Sequence, residues 1–251
     1  MKHLIKQVAV TVMASAAILG ASQNACAGLI HSYDLTSSFA DLLGGPSLSA
    51  GPGTIGPSGY SFSAGNAGLT LSGALPSAST YTIEMKFALD TAANTNAWSD
   101  VLNFHNSDDE LYVFCGASPD HGATSPCTLQ LYPYTGAGGI MSNVVTDMIF
   151  SRDGSSNTVQ AWLNGVQIIS NMPDPSGFAV FNTPGNLITF FQDDTQTTVE
   201  NAAGVVSSIK IFDQVYTPNN IPNGSVPEPT SIALVGLGLL GIGAARRQHA
   251  R

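Results

Sequence analysis

The chain has 251 residues, only 10% of them charged, and 17 Asp and Glu outnumber 8 Lys and Arg for a formal net charge of −9. Such an acidic chain is a poor partner for nucleic acid or anionic membrane, and its 26 Gly and 14 Pro disfavour long amphipathic helices. Its length suits one large domain with flanking segments.

Residues 1–27 read as a secretory signal peptide. Lys2 and Lys6 precede an apolar stretch from Val8 to Leu19, and Ala25-Cys26-Ala27 offers the small residues that signal peptidase accepts. Gln23-Asn24-Ala25 lacks the Leu and small residues of a lipobox, which argues against a lipoprotein leader.

Residues 28–224 carry three bases, Lys86, Arg152 and Lys210, against sixteen acids. They form a succession of β-prone runs, beginning with "LIHSYDL" and "GLTLS". In "TYTIEMKFAL", Tyr81, Ile83, Met85, Phe87 and Leu89 share one face and Thr82, Glu84, Lys86 and Ala88 the other, the period of a half-buried strand. "SDVLNFHN" follows, then Cys115 and Cys127 at the edges of "DELYVFCG" and "PCTLQLYPY". An even pair of cysteines in an exported protein predicts a disulfide, here a hairpin stapled across its loop and worth about 3 kcal/mol. After "NVVTDMIFSRD", "NTVQAWLNGVQII" sets Asn164-Gly165 between two β-prone runs, the pair best suited to a two-residue hairpin turn. "NLITFF" and "VVSSIKIFD" complete about a dozen strands, which predicts an all-β antiparallel sandwich.

"YTIEMKF", "WSDVLNFHNSDDELYVF", "MIFSRDGSSNTVQAWLNGVQI" and "LITFFQDDTQTTVENAAGVVSSIKIFDQVYTPNNI", in that order, resemble the concanavalin A-like jelly roll of laminin G-type (LamG-like) domains. The resemblance spans nearly all of Leu29 to Ile221 and implies that the first strand, near Leu29–Tyr33, pairs with the last, near Ser207–Phe212. Glucan hydrolases of this architecture place carboxylates as E-x-D-x-x-E, since residues two apart share a strand face. Glu84, Glu110 and Glu200 are the only glutamates of 28–224 and none has that company. There is no G-x-S-x-G elbow, and His31, His105 and His121 are scattered. A non-catalytic domain is expected.

Asp193 and Asp194 with Glu200 form a first acidic loop, and Asp108 with Asp109 a second. Clustered hard oxygens suit Ca²⁺, and the resemblance implies an ion on the rim, so Ca²⁺ is the candidate cofactor. Asp and Asn also make turns by bonding local amides, and that reading stands beside the first. Asp153-Gly154 and Asn164-Gly165 read as turns. Trp98, Trp162, Tyr132 and Tyr134 lie outside obvious core positions, and Trp162, Tyr132 and Tyr134 are candidates for stacking on a sugar. Trp162 is out of phase with Ala161 and Leu163, while Tyr132 and Tyr134 alternate about Pro133 as on an edge strand.

Residues 225–251 are unlike the rest. Val226-Pro227-Glu228-Pro229 leads into the 14 residues from Ile232 to Ala245, then Arg246, Arg247 and Arg251. A helix of that length spans roughly 21 Å against about 30 Å of bilayer core, and its four glycines weaken it. The arginines would stay cytoplasmic. This order of parts resembles the PEP-CTERM sorting signal of exported Gram-negative proteins, which implies transient membrane association and an exosortase as processing partner. The expected protein is a cell-surface or extracellular-matrix component that binds extracellular polysaccharide. The alternative is a structural or adhesive matrix protein with protein partners and no small ligand.

Overall fold

The β-prone runs become strands because each can bury one face against a second sheet. The computed structural model describes residues 28–222 apart from 66–67, 94–96, 106–109, 117–125, 135 and 195–199. In chain order the first strands are β1 (Leu29–Asp34), β2 (Ser49–Ala50), β3 (Thr54–Gly56), β4 (Gly59–Phe62), β5 (Leu69–Leu71), β6 (Tyr81–Leu89), β7 (Trp98–Asn103) and β8 (Glu110–Phe114). Then come β9 (Cys127–Leu131), β10 (Ala137–Ile140), β11 (Thr146–Asp153), β12 (Thr158–Leu163), β13 (Val166–Pro173), β14 (Ile188–Phe190) and β15 (Gly204–Phe212). The leader 1–27, the tail 225–251 and the Asp108-Asp109 loop lie outside the described residues. Among the described residues no helix is long and apolar enough to cross a membrane.

The strands form two antiparallel sheets. The first runs β13-β12-β11-β6-β15-β4-β3, and the second β10-β9-β8-β7-β14-β5-β2. In the first sheet β15 shares its outer edge between β4, through Tyr60↔Val206, and β1, through Leu29↔Phe212 to Asp34↔Ser208. First and last strands therefore close the sheet, as the resemblance implied.

Tyr81, Ile83, Met85, Phe87 and Leu89 are all buried along β6, the face that the alternation predicted. They meet Leu111, Val113, Leu129 and Leu131 of the second sheet in one core, together with the rings of Phe104, Phe150 and Phe181. On the opposite face of β6, Thr82 departs from expectation and is fully buried. Its hydroxyl donates to the Gln214 carbonyl at 2.7 Å and accepts the Tyr216 amide at 2.8 Å, because the chain beyond β15 folds back across it.

The β12–β13 turn takes the predicted form, with Asn164 at φ 50° and Gly165 at φ 79°. The Cys115–Cys127 disulfide joins the end of β8 to the start of β9. One local expectation fails. Tyr132-Pro133-Tyr134 is a turn beyond β9, closed by the Tyr134 amide on the Leu131 carbonyl at 2.6 Å, not an edge strand. Pro133 has no amide to give a ladder, and the chain reverses there instead of pairing.

A buried ion pair pins β11 to the connection after β13. Arg152 is 1% exposed and Asp174 fully buried, with Nε donating to Asp174 Oδ2 at 2.9 Å. The guanidinium also donates to the Ser79 carbonyl at 2.8 Å, and the Asp174 carboxylate accepts the Phe178 and Ala179 amides.

Candidate functional site

The outer face of the second sheet gathers the residues that chemistry can use. Along β8, Leu111 and Val113 enter the core, so Glu110 and Tyr112 face outward. The register Trp98↔Phe114, Asp100↔Tyr112 and Asn103↔Glu110 sets Trp98, Asp100 and Asn103 beside them, with an irregularity between Asp100 and Leu102 that keeps both Asp100 and Asn103 outward.

The connection from β14 to β15 then crosses this face. Phe191 turns the chain with φ 59°, unusual for a bulky residue, and is held by stacking on Phe62 at 4.7 Å and by its amide on the Val101 carbonyl at 3.2 Å. The Asp100 amide donates to the Glu200 carbonyl at 2.8 Å. These contacts bring Asp193 and Glu200 over Glu110, so that one carboxylate oxygen from each of the three lies within 4.8 Å of the others. Asp100 lies beside them, fully buried, and faces Glu110, Asp193 and Glu200.

Burial chiefly, and then the charges of Asp193 and Glu200, push the Asp100 carboxyl well above the usual carboxylate range. Glu110 is pushed up to about 12, first by desolvation and next by Asp100. Tyr112, beside them, is raised to about 12 by burial and by Glu110. Asp193 has two duties. Its oxygens accept the Asp194 amide at 2.7 Å and the Glu200 amide at 2.9 Å, which is the turn chemistry expected of such a residue. It also faces the other acids.

Above the carboxylates lies a cavity of about 220 Å³ lined by Trp98, Glu110, Tyr112, Tyr132 and Glu200. The Trp98 ring meets Tyr112 edge-on at 4.9 Å and Phe114 at 4.4 Å, and the Tyr112 hydroxyl donates to Gln130 Oε1 at 2.9 Å. Tyr132 stands at the mouth, 43% exposed.

The predicted residues are thus divided. Asp193 and Glu200 come together, while Asp194, also buried, is not one of the three oxygens that converge. Of the candidate stacking residues Tyr132 reaches the cavity. Tyr134 packs edge-on against Phe178 at 5.9 Å. Trp162 lies on the outer face of the first sheet, 7% exposed, where Ile149, Pro218 and Ile221 help line a separate cavity of about 210 Å³. Asp100, Glu110 and Trp98 are additions to the site. Their signal was a polar or amphipathic residue in phase with the outward face of a predicted strand.

Residues 225–248 match the PEP-CTERM protein-sorting motif, so the chain carries a signal that implies export and processing by an exosortase in Gram-negative bacteria. No curated protein matches the chain. Among solved structures, domain 4 of AbnA, a GH43 extracellular arabinanase from Geobacillus stearothermophilus in complex with arabinotriose, is similar at 18% identity and TM-score 0.51, over 78% of this chain and 98% of that domain. Trypanosoma rangeli sialidase in complex with 2,3-difluorosialic acid is similar at 8% identity and TM-score 0.57, over 78% of this chain. The match spans about a third, 32%, of that enzyme. At these identities the likeness is one of fold.

Proposed function

We propose that the 28–224 sandwich is a non-catalytic module that binds extracellular polysaccharide at the Trp98–Tyr132 cavity, presented on the cell surface or in the matrix after exosortase processing. One observation carries this reading: three aromatic rings and two carboxylates converge on a single open cavity. Ring faces stack on the C–H faces of a pyranose, and carboxylate oxygens accept sugar hydroxyls, the usual composition of a small-ligand site. The cavity's own charge selects the ligand class. With Glu200 in its wall and no lysine or arginine among the described lining residues, it favours a neutral glycan over a sialic or uronic acid.

Binding is favoured over hydrolysis by burial. A retaining pair also stands about 5 Å apart, but with the sugar between its members. Here Glu110, 4% exposed in the cavity wall, has its carboxylate within 4.8 Å of both Asp193 and Glu200, so the acids meet one another instead of flanking an open cleft.

The test is an array of neutral glycans probed with the purified sandwich, which closes its own core through β1 and β15, alongside Trp98→Ala. Retention of one glycan class, weakened about tenfold or more by Trp98→Ala, is the expected result. A blank array for the unaltered protein overturns the reading and leaves the structural-adhesive alternative. Release of reducing ends from the retained glycan would overturn its non-catalytic part.

A further inference from the structure

We propose that the sandwich carries a second saccharide site, in the Trp162 cavity on the outer face of the first sheet, so that one copy of the protein joins two glycan chains. The class of ligand rests on the polysaccharide reading above, and the site itself rests on three observations of that face.

The first is a row of side chains that register sets across four strands. Trp162 of β12 lies opposite Ile149 of β11, Ile149 opposite Glu84 of β6, and Glu84 opposite Lys210 of β15. Asp147, two positions from Ile149 on β11, shares its face. The chain beyond β15 closes this row into a cavity of about 210 Å³, with Pro218 and Ile221 in its wall beside Glu84, Asp147 and Trp162. Hydrogen bonds hold that wall in place: the Tyr216 amide donates to Thr82 Oγ1 at 2.8 Å, the Ile221 amide to the Thr217 carbonyl at 2.9 Å and the Thr217 amide to Asn220 Oδ1 at 2.6 Å. A wall already ordered loses little freedom when a ligand arrives.

The second is Trp162 itself. It is 7% exposed, yet its indole N–H has no acceptor among the described residues. A buried tryptophan ordinarily finds a partner for that group, and a ligand hydroxyl in the cavity supplies one.

The third is charge. Glu84 accepts Lys210 at 3.0 Å and Asp147 faces Lys86 at 3.9 Å, so the two carboxylates offer oxygens with little net charge. A free ion gains little from acids already paired. A pyranose uses both the oxygens, through its hydroxyls, and the apolar wall of Ile149, Pro218 and Ile221, through its C–H face.

The chain has two tryptophans, and each lines one of the two cavities, on opposite outer faces of the sandwich. Binding at both makes the protein a bridge between polysaccharide chains. Little of the Trp162 ring is open, so this site should be the weaker of the two.

The same tryptophans provide the test. Trp98→Ala leaves Trp162 as the only tryptophan of the chain, and this variant is titrated with neutral hexasaccharides of glucose, mannose, xylose and arabinose. A saturable change in tryptophan emission is expected with the class that the array retains. Adding Asp147→Ala, at a half-exposed side chain, should weaken that response about fivefold, the effect of one lost hydrogen bond. With the corresponding polymer, the unaltered protein should raise light scattering by cross-linking it. Trp98→Ala and the double variant Trp162→Phe with Asp147→Ala should each bind without raising it. Circular dichroism checks folding, and should Trp98→Ala fail that check, Trp98→Phe replaces it and also leaves Trp162 alone.

Binding by the unaltered protein with no change in Trp162 emission overturns the second site and leaves the Trp98 cavity standing. Cross-linking that persists in the double variant overturns it as well. Full-strength binding by Trp98→Ala, reported by Trp162, removes the Trp98 cavity instead and leaves this one. No binding of any of these glycans by the unaltered protein overturns both.

Discussion

Asp174→Ala is expected to lower the unfolding free energy by about 3–5 kcal/mol, because it strands a buried guanidinium without its partner. Arg152 is 1% exposed and cannot turn to water, and the same substitution removes the acceptor of the Phe178 and Ala179 amides. For a domain of this size the loss corresponds to a fall in melting temperature of roughly 10 °C. The control is the double variant Arg152→Met with Asp174→Leu, which removes both charges and keeps apolar volume. It should recover most of the loss, since a buried ion pair contributes little beyond its own desolvation. Equal melting temperatures for single and double variants would show that the stranded charge is not the cause. Lys86→Met, which breaks the exposed pair with Asp147, should shift stability by no more than about 1 kcal/mol.

The second large effect has the opposite sign. Asp100→Asn should stabilise the protein by about 2 kcal/mol, or roughly 4–8 °C, although it alters a fully buried residue. Asparagine removes a carboxyl that Asp193 and Glu200 repel when it ionises, and its N–H groups can donate to the neighbouring carboxylates.

The gain should grow with pH. Asp100 and Glu110 have raised values in the folded chain, with Asp193, Glu200 and Tyr112 facing them, so the folded state holds protons that the unfolded state releases. The contribution of these two groups to stability is then greatest below the ordinary carboxylate range near pH 4 and falls as pH rises toward the folded value, about 12 for Glu110. Melting scans at pH 5 and pH 8 test this. A protein that melts no lower at pH 8, or an Asp100→Asn variant less stable than its parent there, would refute the idea.

Most of the strands were legible along the chain because their evidence is local. The period-2 face of "TYTIEMKFAL", the Asn164-Gly165 turn and the cysteines flanking one loop each depend on neighbours within about a dozen residues. What escaped was short: β2, β3, β4 and β10 have two to four residues in Gly-, Ser- and Pro-rich stretches, too few to show a period. They exist because longer partners pair with them, as Leu69 and Thr70 do with Ala50 and Ser49.

By itself the sequence determined that this is an acidic, all-β chain with its sorting motif at residues 225–248, because composition, alternation and motif order are properties of the chain read in one dimension. Only the tertiary structure decided which acids meet. Asp100 and Glu110 lie on paired strands, and Asp193 and Glu200 about ninety positions further on reach them through a buried turn at Phe191 and a loop laid across the sheet. Sequence spacing carries no record of such a meeting. Electrostatic energy depends on distance in space and on burial, and both are settled by register and packing after the strands have formed.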